Sequence, residues 1–173
     1  MDAKTDQIVS NAVAAAIADA EQLWSPEKFD GVFPVKGFGI KKLEKFDVDD
    51  SLTGCPYTNS WVMSITTART WTGVLSNILS DAVYVVLTGI FNYDATPDVR
   101  AIKITADGVE YPIMDVEEMY GWDVAVAYFS HPIIIRPEKK IIVEAIAETA
   151  GQKLFGFIGY AIAKRSYLIG KMS

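Results

Sequence analysis

Few residues in this sequence are of a type and spacing that could carry out acid–base or nucleophilic chemistry. There is one histidine, His131, and it directly precedes Pro132 at an expected strand start. A Ser-His-Asp relay needs its histidine held between a nucleophile and an orienting carboxylate. No nucleophile-elbow pattern surrounds any serine, so His131 is read as structural. The single cysteine, Cys55, excludes an intrachain disulfide and a multi-cysteine zinc site within one chain. It reads as a small buried hydrophobe. Gly37-Phe38-Gly39 is too short for a phosphate-cradling loop.

The carboxylates form two groups. Asp47-Val48-Asp49-Asp50 is the first. Loop carboxylates are the usual ligands of a hard cation, so calcium is the ion that Asp47, Asp49 and Asp50 would hold. The spacing lacks the full EF-hand pattern, and a solvated acidic loop is the plainer reading. The second group is Asp115, Glu117, Glu118 and Asp123, interleaved with Met119, Tyr120 and Trp122. Three readings stay open here: a cation or ligand site at the end of a sandwich, a polar rim around aromatic anchors, or a solvated loop. Tryptophan and tyrosine carry much of the energy of protein interfaces, which makes Met119, Tyr120 and Trp122 interface candidates. Aromatic side chains such as Trp61, Trp71, Tyr84, Tyr111 and Tyr160 serve either as core or as platforms for sugars. No catalytic residue and no cofactor is assigned, and the chain is expected to act by binding or assembling.

These groups must be positioned by a mostly β framework. Residues 1–24 read as a helical arm. Alanine, the best helix former, dominates it, and Val9, Val13, Ala16, Ala20 and Leu23 recur on one face, widened by Ile17 and Trp24. Ser25-Pro26 ends the helix. The small side chains allow close approach of another surface, either the chain's own sandwich or a neighbouring subunit; for the second case Val13, Ile17 and Trp24 are the contact candidates. Residues 25–58, rich in proline and glycine, read as an extended connector with strand-like fragments at Val32-Phe33 and Phe38-Gly39-Ile40. From 59 to 173 the pattern is a β-sandwich domain. Strands are expected within residues 60–67, 82–91, 98–105, 109–114, 122–129, 132–135, 140–147 and 153–163, while Trp71 to Leu79 is ambiguous between strand and helical turn. Asp107-Gly108 supplies the positive φ values of a tight hairpin. The proline-bracketed stretch 132–135 suits an edge strand, and the doubly apolar stretch 82–91 a strand covered on both faces. With no helix-length crossovers, an antiparallel sandwich follows, with the jelly roll as its eight-strand, two-sheet version.

The bulk numbers narrow the function. A chain of 173 residues suits one domain able to bury a core without staples. Half of its residues are hydrophobic, which leaves apolar surface for contact between subunits. The net charge of −6 and pI near 4.8, with scattered basic residues, argue against direct nucleic-acid binding. No signal peptide is read at the N-terminus, and no apolar run approaches the ~20 residues of a membrane helix.

The text PIIIRPEKKIIVEAIAETAGQKLFGFIGYAIAKRSYLI, from Pro132 to Ile169, places a proline-bounded strand before a long hairpin and a Gly-Tyr strand ending in basic residues. It resembles the closing strands of jelly-roll virion proteins from tailed phages and archaeal viruses. The resemblance spans roughly residues 80–170, and the N-terminal helix with its connector resembles the arms that stitch such subunits together. No functional residue transfers. The resemblance implies a virion structural protein, a capsid, decoration or vertex subunit, assembled in the host cytoplasm with itself and with other virion proteins. The alternative from another class is a carbohydrate- or ligand-binding sandwich, calcium-dependent if the acidic strings bind an ion.

Overall fold

Strands with an apolar face on each side need cover on both sides. The computed structural model, which describes residues 2–24, 27–29, 33–35, 37–49, 61–94, 98–121 and 125–172, provides it with two antiparallel sheets and a helix. In chain order the elements are α1 (Ala3–Leu23), β1 (Glu27–Phe29), β2 (Phe33–Val35), β3 (Phe38–Lys42), α2 (Lys45–Val48), β4 (Val62–Ile65), β5 (Thr72–Ile78), β6 (Val83–Asn92), β7 (Val99–Ala106), β8 (Val109–Glu110), β9 (Met114–Asp115), α3 (Glu117–Gly121), β10 (Val126–Ile135), β11 (Lys140–Ala147), β12 (Gly151–Lys164) and α4 (Arg165–Met172).

The first sheet runs β10-β6-β12-β3, with β4 also on β12; the second runs β5-β11-β7-β8, with β9 also on β7. The strands β3 and β4 share one edge of β12, opposite Tyr160–Lys164 and Gly151–Leu154 respectively. From β4 to β7 successive strands alternate between the sheets. The remaining pair, β1 and β2, forms a separate antiparallel ribbon.

The core is the set of inward positions that period-2 alternation creates. On β11 these are Ile141, Val143, Ala145 and Ala147, and on β12 Phe155, Phe157, Ala161 and Ala163, all in one buried cluster. The inward set of β6 is Val83, Val85 and Leu87 and then Ile90. That break in alternation accompanies the register shift at Ile158/Gly159 in its pairing with β12, and a bulge of this kind adds local twist. The outward residues Tyr84 and Val86 of β6 are also buried, at 1% and 0% exposure, because α1 lies over them.

Several expectations are refined here. The stretch 25–58 is more than connector: β3 is a strand of the main sheet and α2 packs against β6 and β12 of that sheet. The ambiguous stretch Trp71–Leu79 is strand β5. The hairpin turn is as expected, with φ of 51° at Asp107 and 76° at Gly108, the left-handed pair of a type I′ turn. Its second strand breaks after Glu110 and resumes at Met114, since Pro112 has no N–H for the ladder. The two strands expected around 122–135 form one, β10, irregular between Tyr128 and Ile133. Pro132 falls in that irregularity, on the edge strand where a missing donor costs least. Helix α4 was not anticipated.

Candidate assembly interface

Helix α1 starts because Asp2 accepts the Thr5 N–H at 2.7 Å, a side-chain cap of the usual N-terminal kind. It closes with the Trp24 N–H donating to the Ala20 carbonyl at 2.8 Å. Ala16 and Ala20 are 1% and 0% exposed. They pack on Tyr84, Val86 and Ile162 in a cluster separate from the sandwich core. Val13, Ile17 and Trp24, the contact candidates of the arm, flank this cluster beside Phe38 and Ile134. The helix is therefore seated on its own chain's sheet, the first of the two options the sequence allowed. Alanine makes this possible: with only a methyl group at the contact, the helix backbone comes close to the strands.

The end of the helix is held by aromatic and polar contacts. Trp24 lies edge-on to Tyr84, with centroids 5.2 Å apart, and tilted against Phe38 at 6.0 Å. The Lys164 ammonium sits 5.7 Å from the Trp24 ring centroid, within cation–π range, and 3.6 Å from Asp81. The Tyr84 hydroxyl donates to Asp19 at 2.9 Å. A cleft of about 580 Å³ opens here, lined by Asp19, Trp24, Asp81, Tyr84, Arg136 and Lys164 among others.

Burial, and then the hydrogen bond to Asp19 and its negative charge, push the Tyr84 phenol up to about 12. The folded state thus favours the neutral phenol. Its contribution to stability is full below the unfolded value of about 10 and is lost as pH rises through the folded value. Denaturant midpoints measured from pH 8 to 12 should fall along an alkaline limb that Tyr84→Phe makes shallower, since the raised lysines still titrate there. An identical limb in the variant would show that Tyr84 does not couple α1 to the sheet.

The other candidates fall in different places. Met119 is corrected from rim to core: it is 7% exposed and belongs to the central cluster with Val116. The single turn α3, with the Met119 N–H donating to the Val116 carbonyl at 3.1 Å, puts both side chains on the inward side. The side chain of Tyr120, and Trp122 and Asp123 altogether, lie outside the described residues. Glu117 pairs with Arg100, which also reaches Glu148 at 3.1 Å, while Glu148 takes Arg69 at 2.9 Å. Among the described residues this acidic group is partly matched by arginine, in exposed pairs that add little stability. The N–H of Glu117 donates to Asp115 at 2.9 Å, and Glu118 is exposed.

Residues 47–49 of the first acidic string are not a solvated loop. The Asp47 side chain is 0% exposed and lies 2.9 Å from the Lys41 ammonium. It also accepts the Glu44 N–H at 2.9 Å and the Tyr167 hydroxyl at 3.0 Å. Asp49 lies 4.0 Å from Lys45, and Lys45 donates to the Val62 carbonyl at 2.8 Å. Burial pulls the Lys41 ammonium down, but its hydrogen bonds to Asp47 and Glu44 outweigh that and leave it above the ordinary lysine range. Asp50 and Cys55 lie outside the described residues, and no group of metal-holding side chains occurs among the described ones.

His131 stands inside β10 rather than at a strand start. It is exposed, with its Nδ1 3.1 Å from the Ser130 hydroxyl. The ion pair of Asp98 with Lys153, at 2.8 Å across the two sheets, was not anticipated. Burial raises Asp98, and the hydrogen bonds from Lys153 and Thr149 more than reverse this, holding it below the usual carboxylate range. Spacing could not reveal this pair, which sits 55 residues apart, nor the Lys41–Asp47–Tyr167 group. Asp19, within the alanine-rich stretch of α1, was a visible sign of a polar contact there. No helix among the described residues is long and apolar enough to cross a membrane.

No protein-family model matches the chain, and no curated protein matches it. Two solved structures, each described as a pentameric capsid protein isolated from metagenomic phage sequences, align with it at 14% identity. The first covers 88% of this chain and 93% of its own, with a TM-score of 0.22. The second covers 88% and 92%, with a TM-score of 0.23. A likeness this low carries no argument about what this chain does.

Proposed function

We propose that this protein is a self-assembling structural subunit, a viral capsid or capsid-associated protein built on a jelly roll. The observation that carries the reading is the seat of α1. The helix is held by a cluster of its own, Ala16 and Ala20 on Tyr84, Val86 and Ile162, which shares no residue with the sandwich core. A helix attached in this way can leave without opening the core. The same contacts made on a neighbour's sheet link two copies at little net cost, the logic of exchanged elements. The strand order supports the class. With β3 and β4 sharing one edge, the two four-strand orders β3/β4-β12-β6-β10 and β5-β11-β7-β8 support a jelly roll as the form of this sandwich. Strand order alone does not select a function; the resemblance of residues 132–169 to virion proteins supports this one. The partners are further copies of the chain and other virion proteins, with neither nucleic acid nor membrane contacted directly.

The test is light scattering with negative-stain microscopy on the full chain over a concentration series, beside a truncation lacking residues 1–24. Regular rings, tubes or shells are expected from the full chain. The truncation should stay folded, as judged by circular dichroism, yet fail to assemble. A clean monomer at every concentration, or unchanged assembly by the truncation, would overturn the reading.

A further inference from the structure

The outer face of the first sheet is divided. Helix α1 covers the part around Tyr84, Val86 and Ile162. The remainder forms a second cleft of about 520 Å³ lined by aromatic side chains, within the range of about 300–1,000 Å³ usual for small-ligand sites. Tyr93 and Tyr128 line it while 56% and 39% exposed. Phe91 stacks on Tyr93 with centroids 4.9 Å and planes 29° apart, which fixes the plane of an otherwise exposed ring. Trp61 meets Phe91 edge-on at 6.2 Å. It can lie there because Gly156 has no side chain: a Cβ at that position would stand 2.5 Å from the indole. At the rim are Lys42 and Glu44; the Glu44 carboxylate also takes the Lys41 ammonium at 2.9 Å and keeps 39% of its side chain in solvent.

We propose that this cleft binds a carbohydrate, a pyranose ring seated against the tyrosines. A sugar ring presents a face of slightly positive C–H groups, which suits the negative face of an aromatic ring, and an edge of hydroxyls. The hydroxyls need a donor and an acceptor; an ammonium supplies the first and a carboxylate the second, as Lys42 and Glu44 do at this rim. Nucleobases also stack on such rings, but a chain of net charge −6 repels their phosphates. A purely apolar ligand would leave the polar rim unused. The inference is independent of assembly, since a monomer would hold the same cleft.

The full-length protein is titrated with glucose, galactose, mannose, N-acetylglucosamine and the β-linked tetramers of each, followed by calorimetry and tryptophan emission. At least one sugar should bind, with affinity lost by about tenfold or more when a stacking ring is removed in Tyr93→Ala or Tyr128→Ala. Both sites are exposed, so both variants should melt as the parent does, and either one suffices if the other fails to fold. Trp71→Ala, an exposed ring on the other sheet, should leave binding unchanged. Absence of binding across the panel, equal binding by the tyrosine variants, or equal loss in Trp71→Ala would overturn the assignment.

Discussion

Asp47→Ala is expected to cost about 3 kcal/mol, the lower end of the range for breaking a buried ion pair. The carboxylate is fully covered and meets the Lys41 ammonium, the Tyr167 hydroxyl and the Glu44 N–H. Removing it leaves all of these groups without that acceptor. Lys41 keeps 22% of its side chain in solvent, so water recovers part of the loss, which holds the cost to the lower end. At roughly 2–4 °C per kcal/mol for a domain of this size, the melting temperature should fall by about 6–12 °C. Tyr167→Phe removes one hydrogen bond and should cost about 1 kcal/mol. The measurement is thermal unfolding in millimolar calcium and again with a chelator. Equal losses in both are expected from a structural ion pair. A calcium-dependent difference would instead make Asp47 a cation ligand, because an ion bound to the folded state raises its apparent stability.

Gly159→Ala should be the most damaging of the glycine replacements. A Cβ there would stand 1.9 Å from the Val86 carbonyl oxygen and 3.2 Å from the Leu87 Cα. Both belong to β6, which lies between β10 and β12. Backbone at the centre of a sheet cannot move aside without opening ladder hydrogen bonds on both flanks. The expected cost is about 3 kcal/mol, the upper part of the range for overpacking, or failure to accumulate folded protein. Gly89→Ala meets the Ala127 carbonyl oxygen at 2.4 Å, while Gly73→Ala meets nothing within 4 Å. Denaturant midpoints should therefore rank Gly73→Ala near the parent, Gly89→Ala well below it and Gly159→Ala lowest. A Gly159→Ala protein as stable as Gly73→Ala would mean that β6 and β12 do not approach as closely as described.

What could be read from the sequence follows from local rules. Alanine content and period produced α1 and its apolar face, alternation produced β11 and β12, a run of Val, Tyr, Leu and Ile apolar on both faces produced β6, and Asp107-Gly108 produced its hairpin. The double apolar face of residues 82–91 already required cover on both sides. Sequence alone did not say that α1 supplies this cover in the same chain, because a small-residue face fits its own sheet and a neighbour's equally well. Polar contacts were the least legible. Asp47 in a string of acids reads as solvated until Lys41 and Tyr167 are brought to it, the latter across 120 residues. Met119 reads as a rim residue among acids until the turn of α3 directs it inward beside Val116. The aromatic cleft has the same origin: Trp61, Tyr128 and the pair Phe91 and Tyr93 sit on three different stretches, and only strand pairing gathers them. Local propensity and period act over a few residues and so determined the elements. Burial, ion pairing and the position of exposed rings depend on which distant strands pair, and the tertiary structure alone decided those.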